Sequence, residues 1–256
     1  MKTYIAVVLC LFGGACLAQV SPQSKAAYPE LEAAEAWRGL AAGYVRKALK
    51  DRTVDQDPAL NARVDSVMAA VGAALAAIDA RFANASWRAI LIEDFGRGAA
   101  AFPGETILVD AKFVRALQLD DDELALIFSH EAAHVVAGHA SAKLSFMAEF
   151  VGKEKLPTAH TALIEFLAKD TYAAVFQPAA RLQEREADRI GAAIFFATGY
   201  DAQRALGLFD KLAELETRED GRVSDTHDGA RMRRQTVSGV IADLRRLHAE
   251  RGPEKR

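Results

Sequence analysis

Residues 127–139 read Ile-Phe-Ser-His-Glu-Ala-Ala-His-Val-Val-Ala-Gly-His, three histidines and a glutamate in an otherwise apolar run. Leaving a polar group unpaired out of water costs roughly 2–7 kcal/mol, so these side chains need partners. On a helix His130 and His134, four apart, stack on one face and can grip a single ion. Glu131 lies about 100° round the axis, outside that grip but able to reach a water beside the ion. Imidazoles holding a metal, with a carboxylate free to move a proton, are the parts of a hydrolytic centre.

The pattern is the His-Glu-x-x-His arrangement of zinc metallopeptidases. Composition alone would produce it about 0.01 times in a chain with these His and Glu contents, so it is not incidental. A catalytic zinc needs a third protein ligand and an open fourth position. One class uses a histidine ten residues after the first, with a glycine at the seventh. Those positions are Ala140 and Ala137, with Gly138 and His139 each one residue out of register, so that class is excluded. His139, five after His134, falls on another helical face and is expected to pack or hydrogen-bond nearby. The remaining candidates are carboxylates or His160, His227 and His248. The best place to look is 181–191, Arg-Leu-Gln-Glu-Arg-Glu-Ala-Asp-Arg-Ile-Gly. There Glu184 and Asp188 share one helical face, so one can bind the metal while the other orients a ligand histidine through its far nitrogen.

Several elements must position these residues. The acidic run Asp120–Glu123 is a good helix start for the histidine segment, whose apolar residues wrap most of the circumference, as in an interior helix. Asp57 is a plausible cap for a helix with Pro58 at its first position and Leu60, Val64, Val67, Val71 and Leu75 at helical spacing. Further helices fit 161–175, 180–197, 202–215 and 228–250. Residues 87–94 and 106–114 are β-rich, and the Gly/Ala/Pro stretch between them reads as a turn. The expected fold is one helix-dominated α+β domain with a small β-sheet.

The N-terminal 20 residues have the order of a secretory signal peptide: an early lysine, an apolar run from Tyr4 to Phe12, then small residues. The organisation expected is a signal peptide at 1–18, a helical segment at 19–57 and the hydrolytic domain at 58–250. The stretch Gly-Gly-Ala-Cys also resembles a degenerate lipobox, which would anchor the chain through a lipidated Cys16. Both cysteines, Cys10 and Cys16, lie in this segment, so a Cys nucleophile and Cys-ligated zinc are excluded. The later apolar segments, such as Leu-Ser-Phe-Met-Ala-Glu-Phe-Val at 144–151, are too short to span a bilayer. The net charge of −3 gives no sign of nucleic-acid binding, and the basic excess from Arg231 onward reads as a solvated helix face.

His-Glu-Ala-Ala-His followed some fifty residues later by Glu-Arg-Glu-Ala-Asp closely resembles the gluzincin peptidases that include the CaaX prenyl endopeptidases, the HtpX-like quality-control proteases and soluble periplasmic BepA-like and LoiP-like relatives. The resemblance implies a zincin fold with one zinc on His130, His134 and Glu184, and Asp188 behind a ligand; Glu186 is then not a ligand. Residues 99–110 are similar to that family's Asn-Ala-Phe-Ala-Leu-Pro-Gly-Gly stretch before a strand, with departures at Gly98, Ala100, Phe102 and Glu105. Residues 224–234 look like its Thr-His-Pro segment, which carries an active-site histidine and an arginine six residues later, here His227 and Arg233. Asp228 replaces the proline.

The chemistry implied is endoproteolysis of exported polypeptides. Glu131 acts as general base, and His227 and Arg233 assist the developing oxyanion. Substrate main chain pairs with the edge of the 106–110 strand. The rival reading is a chaperone-like binder that keeps zinc with little turnover. Retention of Glu131 argues against it, because holding a metal does not require that carboxylate.

Overall fold

The computed structural model describes residues 26–96, 98–218 and 227–251. The expected signal peptide, with Cys10 and Cys16, lies outside the described residues. In chain order the elements are α1 (Glu30–Asp51), α2 (Pro58–Ile78), β1 (Arg88–Ile92), β2 (Ala99–Phe102), β3 (Thr106–Asp110), α3 (Ala111–Ala116), α4 (Asp121–Val136), α5 (His139–Met147), α6 (Ala159–Ala168), α7 (Asp170–Thr198), α8 (Ala202–Ala205), α9 (Gly207–Arg218) and α10 (Ala230–Arg251). The fold is the helix-dominated α+β arrangement with a small sheet that the sequence predicts.

The sheet has the order β1-β3-β2, with β3 parallel to β1 and antiparallel to β2. Successive side chains on a strand face opposite sides, and here each side has a core. Leu91, Ile107 and Val109 pack with residues of α2, α4, α7 and α10. Ile92, Phe102 and Leu108 pack with residues of α1, α5 and α6. Helix α1, from the segment preceding residue 58, buries Ala33, Ala36, Trp37 and Ala41 in this second core. Trp37 Nε1 donates to the Ala140 carbonyl at 3.1 Å, fastening α1 to α5.

Helix starts follow local chemistry. The Asp57 carboxylate accepts from the amides of Ala59 and Leu60, with Pro58 at the first helical position. At α4, Asp120 and Glu123 form a reciprocal capping box. The acids there do more than face a helix dipole, because Asp122 and Glu123 are buried. Asp122 Oδ1 accepts from the Asp201 amide at 2.8 Å, and Glu123 Oε2 from Lys211 Nζ at 2.6 Å. The site helix is thus tied to α8 and α9.

Five expectations change, one of them being that the helix expected at 202–215 divides at Leu206 into α8 and α9. The stretch expected as a turn between the first two β-rich segments contains β2, whose three alanines carry no β signal and which forms by pairing with β3. The second β-rich segment ends at Asp110, whose carboxylate caps α3. β3 is the central strand, paired on both sides, so substrate cannot add along 106–110; the edges are β1 and β2. Finally, the helices expected at 161–175 and 180–197 divide instead at Lys169, and α7 runs through Pro178. An interior proline costs about 3 kcal/mol. Phe176, buried and packed on Phe146 and Phe166, helps hold the helix across it.

Among the described residues α2 is the one helix long and apolar enough to cross a membrane. Its Leu60, Val64, Val67, Met68, Val71 and Leu75 are buried in the core.

Candidate metal centre

The centre forms where α4 lies against α7. The two helices approach closely at Gly191, where a Cβ would stand 2.8 Å from His130 Cα and 3.1 Å from the Ser129 carbonyl oxygen. Only glycine allows that separation. It lets Glu184 and Asp188 on α7 reach both sides of the His130 ring. His130 Nε2 lies 3.2 Å from His134 Nε2 and 3.2 Å from Glu184 Oε2, and His134 Nε2 lies 3.5 Å from the same oxygen. In a tetrahedral zinc site, bonds of 2.0–2.1 Å set ligand atoms about 3.3–3.4 Å apart. The three donors therefore fit one small divalent ion held by two nitrogens and an oxygen.

Behind His130, Asp188 Oδ1 stands 3.0 Å from Nδ1. Arg233, expected beside the oxyanion, is directed at Asp188: Nη2 donates to Oδ1 at 2.8 Å and Nε donates to Oδ2 at 3.1 Å. Behind His134, Nδ1 lies 2.9 Å from His139 Nδ1, and His139 Nε2 lies 3.2 Å from Glu186 Oε2. That contact needs the helix break at Gly138, whose φ of 70° ends α4 and swings His139 back towards His134. Spacing along an unbroken helix could not reveal it.

The electrostatics follow from these contacts. Burial opposes protonation of His130, but hydrogen bonds to Asp188 and Glu184 outweigh it and push its pKa up to about 9. Burial likewise opposes ionisation of Asp188 and Glu184. The His130 hydrogen bond and the Arg233 charge nonetheless hold Asp188 at about 2. Hydrogen bonds from His130, His134 and His227 hold Glu184 well below the usual carboxylate range. Burial lowers the pKa of His139 despite its contact with Glu186.

Glu131 is half-buried on the next face of α4, and its Oε2 accepts the Ala101 amide of β2 at 2.8 Å. The missed strand is therefore what orients this carboxylate. His227 comes to the centre from just before α10, with Nε2 2.7 Å from Glu184 Oε2. His130, Glu184 and His227 also offer donor atoms within 4.8 Å of one another. Asp228 joins Arg185 in a two-pronged ion pair, Nε to Oδ2 at 2.7 Å and Nη2 to Oδ1 at 3.0 Å, which pins the residue next to His227 onto α7. Of the other histidines considered, His160 sits on α6 in a groove against α1, and His248 is near the end of α10.

The comparisons with known proteins meet this geometry. Peptidase family M48 is matched over residues 58–241. The chain is also 26% identical over 158 residues to the mitochondrial metalloendopeptidase OMA1 of Arabidopsis thaliana. That alignment covers 60% of this chain and 31% of the relative, so the chain spans about a third of the relative's length. The matched region runs from the first turn of α2 into α10 and contains all the donor atoms described above. The chain belongs to peptidase family M48, a family of metal-dependent peptidases.

Proposed function

We propose that the protein is an exported zinc endopeptidase, similar to the soluble BepA-like and LoiP-like members, that cleaves misfolded or unassembled envelope proteins. The observation that carries this reading is the convergence of His130 Nε2, His134 Nε2 and Glu184 Oε2, all within 3.5 Å of one another, beside an oriented Glu131. His130, His134 and Glu184 would hold the zinc, which when bound would supply a Lewis acid and a more acidic water. Glu131 takes the proton of the attacking water and passes it to the leaving amine. The Ala101 amide fixes Glu131 Oε2, so the carboxylate need not reorient for each transfer. Asp188, steadied by Arg233, holds the His130 ring with Nε2 forward. Substrate main chain lies along β2, the edge strand that touches Glu131.

His227 has two uses in this scheme. Its contact with Glu184 favours a resting position among the ligands, from which substrate displaces it towards the oxyanion. The same contact also supports a second reading, a zinc-holding chaperone-like binder whose site stays closed. Metal analysis tests the shared premise: the purified protein should carry one zinc, and His134→Ala and Glu184→Ala should each lose it. Full zinc in both variants would refute the ligand set. Export is tested by mass spectrometry of protein from the cell envelope, with a chain starting at Gln19 or at a lipidated Cys16. An intact Met1 on cytoplasmic protein would sink both.

A further inference from the structure

The donor set fixes the tautomers around His134, and that gives work to two residues that hold no metal. To offer the Nε2 lone pair to an ion, His134 must carry its proton on Nδ1. That nitrogen lies 2.9 Å from His139 Nδ1, which must therefore accept. The proton of His139 is then on Nε2, 3.2 Å from Glu186 Oε2. Donation runs one way only, from His134 to His139 to Glu186. The reverse polarity would put a proton at His139 Nδ1, leave His134 protonated on Nε2 and close that ligand position.

We infer that His139 and Glu186 are positioning residues that lock His134 in its metal-binding tautomer. They are the counterpart, on the second ligand, of Asp188 and Arg233 on the first. The two supports differ chemically. His130 leans on a buried carboxylate, whereas His134 leans on a neutral ring whose own proton is taken up by a carboxylate one step further out. The His139 side chain is only 7% exposed and its ring meets that of His134 edge-on at 4.9 Å, so the relay is held by packing as well as by hydrogen bonds. Glu186 stands two residues from Glu184 on α7, so one helix supplies both a ligand and the end of the relay.

This inference rests on the reading of His134 as a ligand, and the test separates the two. Zinc affinity is measured by competition with a chromogenic chelator for wild type, His134→Ala, His139→Phe, His139→Asn and Glu186→Ala. Loss of an outer partner of a ligand histidine typically weakens binding about 10–100-fold. His139→Phe, which keeps the ring volume but cannot accept, should fall in that range. His139→Asn, whose Oδ1 stands near the position of Nδ1, should recover part of the loss, which a purely packing role would not allow. Glu186→Ala, at a partly exposed position, should weaken binding less than His139→Phe and covers the case in which a core variant fails to fold. Nitrogen-15 spectra of the zinc-loaded protein should show His139 protonated on Nε2 and bare on Nδ1. If His134→Ala loses zinc while His139→Phe and Glu186→Ala bind within about twofold of wild type, the relay is overturned and the ligand set stands. A proton on His139 Nδ1 in the loaded protein also overturns it. If His134→Ala keeps its zinc, the ligand assignment falls and the relay falls with it.

Discussion

His130 must be neutral to bind a metal, yet its surroundings favour the charged ring. In the metal-free protein its pKa of about 9 lies above the ordinary value of 6.5, because Asp188 and Glu184 hold the proton against the effect of burial. The folded pKa is the higher one. The stability this group gives the metal-free fold is therefore fully present below 6.5 and is lost as pH rises through about 9. Metal binding works the other way, since it needs the proton to leave. Zinc uptake at pH 7 should release about one proton from this ring, measurable by calorimetry in two buffers of different ionisation enthalpy. Uptake with no proton released would show that His130 is already neutral and that Asp188 does not act as described. Of these residues, His130, Glu131 and His134 were legible in the sequence because one helix sets their spacing. Glu184 and Asp188 were legible as a spaced pair, but their assignment as ligand and support came from the resemblance. The His139–Glu186 contact was hidden, because it depends on the helix break at Gly138, which spacing does not encode.

The elements act on the site chiefly through the distance between α4 and α7. Gly191 stands three residues after Asp188, and the atoms a Cβ would meet belong to the backbone of His130 and Ser129. No side chain can rotate away, so the helices must part. Gly191→Ala should destabilise the protein by about 1–3 kcal/mol, the usual cost of overpacking, and should weaken zinc binding because Asp188 and Glu184 move with α7. Denaturant unfolding and chelator competition check both. Unchanged values would mean that the helix separation does not set the site. A second element at the site is the segment at His227, pinned by Asp228 on Arg185. If His227 rests among the ligands and blocks substrate, His227→Ala should raise cleavage of an unfolded protein; a fall of about 10²–10³ in kcat would instead assign it to the oxyanion. Element boundaries with local signals, such as Asp57-Pro58 and the acidic start of α4, were readable in advance. The strand β2 was not, since Ala99, Ala100 and Ala101 take their conformation from β3. Nor was the continuity of α7 through Pro178, which depends on the packing around Phe176.

At the scale of the whole molecule, two cores on either face of a three-stranded sheet hold one edge strand and two helices in register around the donor cluster. The helix-dominated α+β class was legible from periodicity; the layering was not, because β1 and β3 look alike in sequence and only pairing makes β3 central. In the proposed function this framework separates metal holding, by His130, His134 and Glu184, from proton transfer by Glu131. The most direct test is the rate at which Glu131→Gln, loaded with as much zinc as wild type, cleaves an unfolded protein. The expected result is a loss of at least about 10²-fold with zinc content unchanged. Cleavage at the wild-type rate would contradict it, because Glu131 would then not be the base.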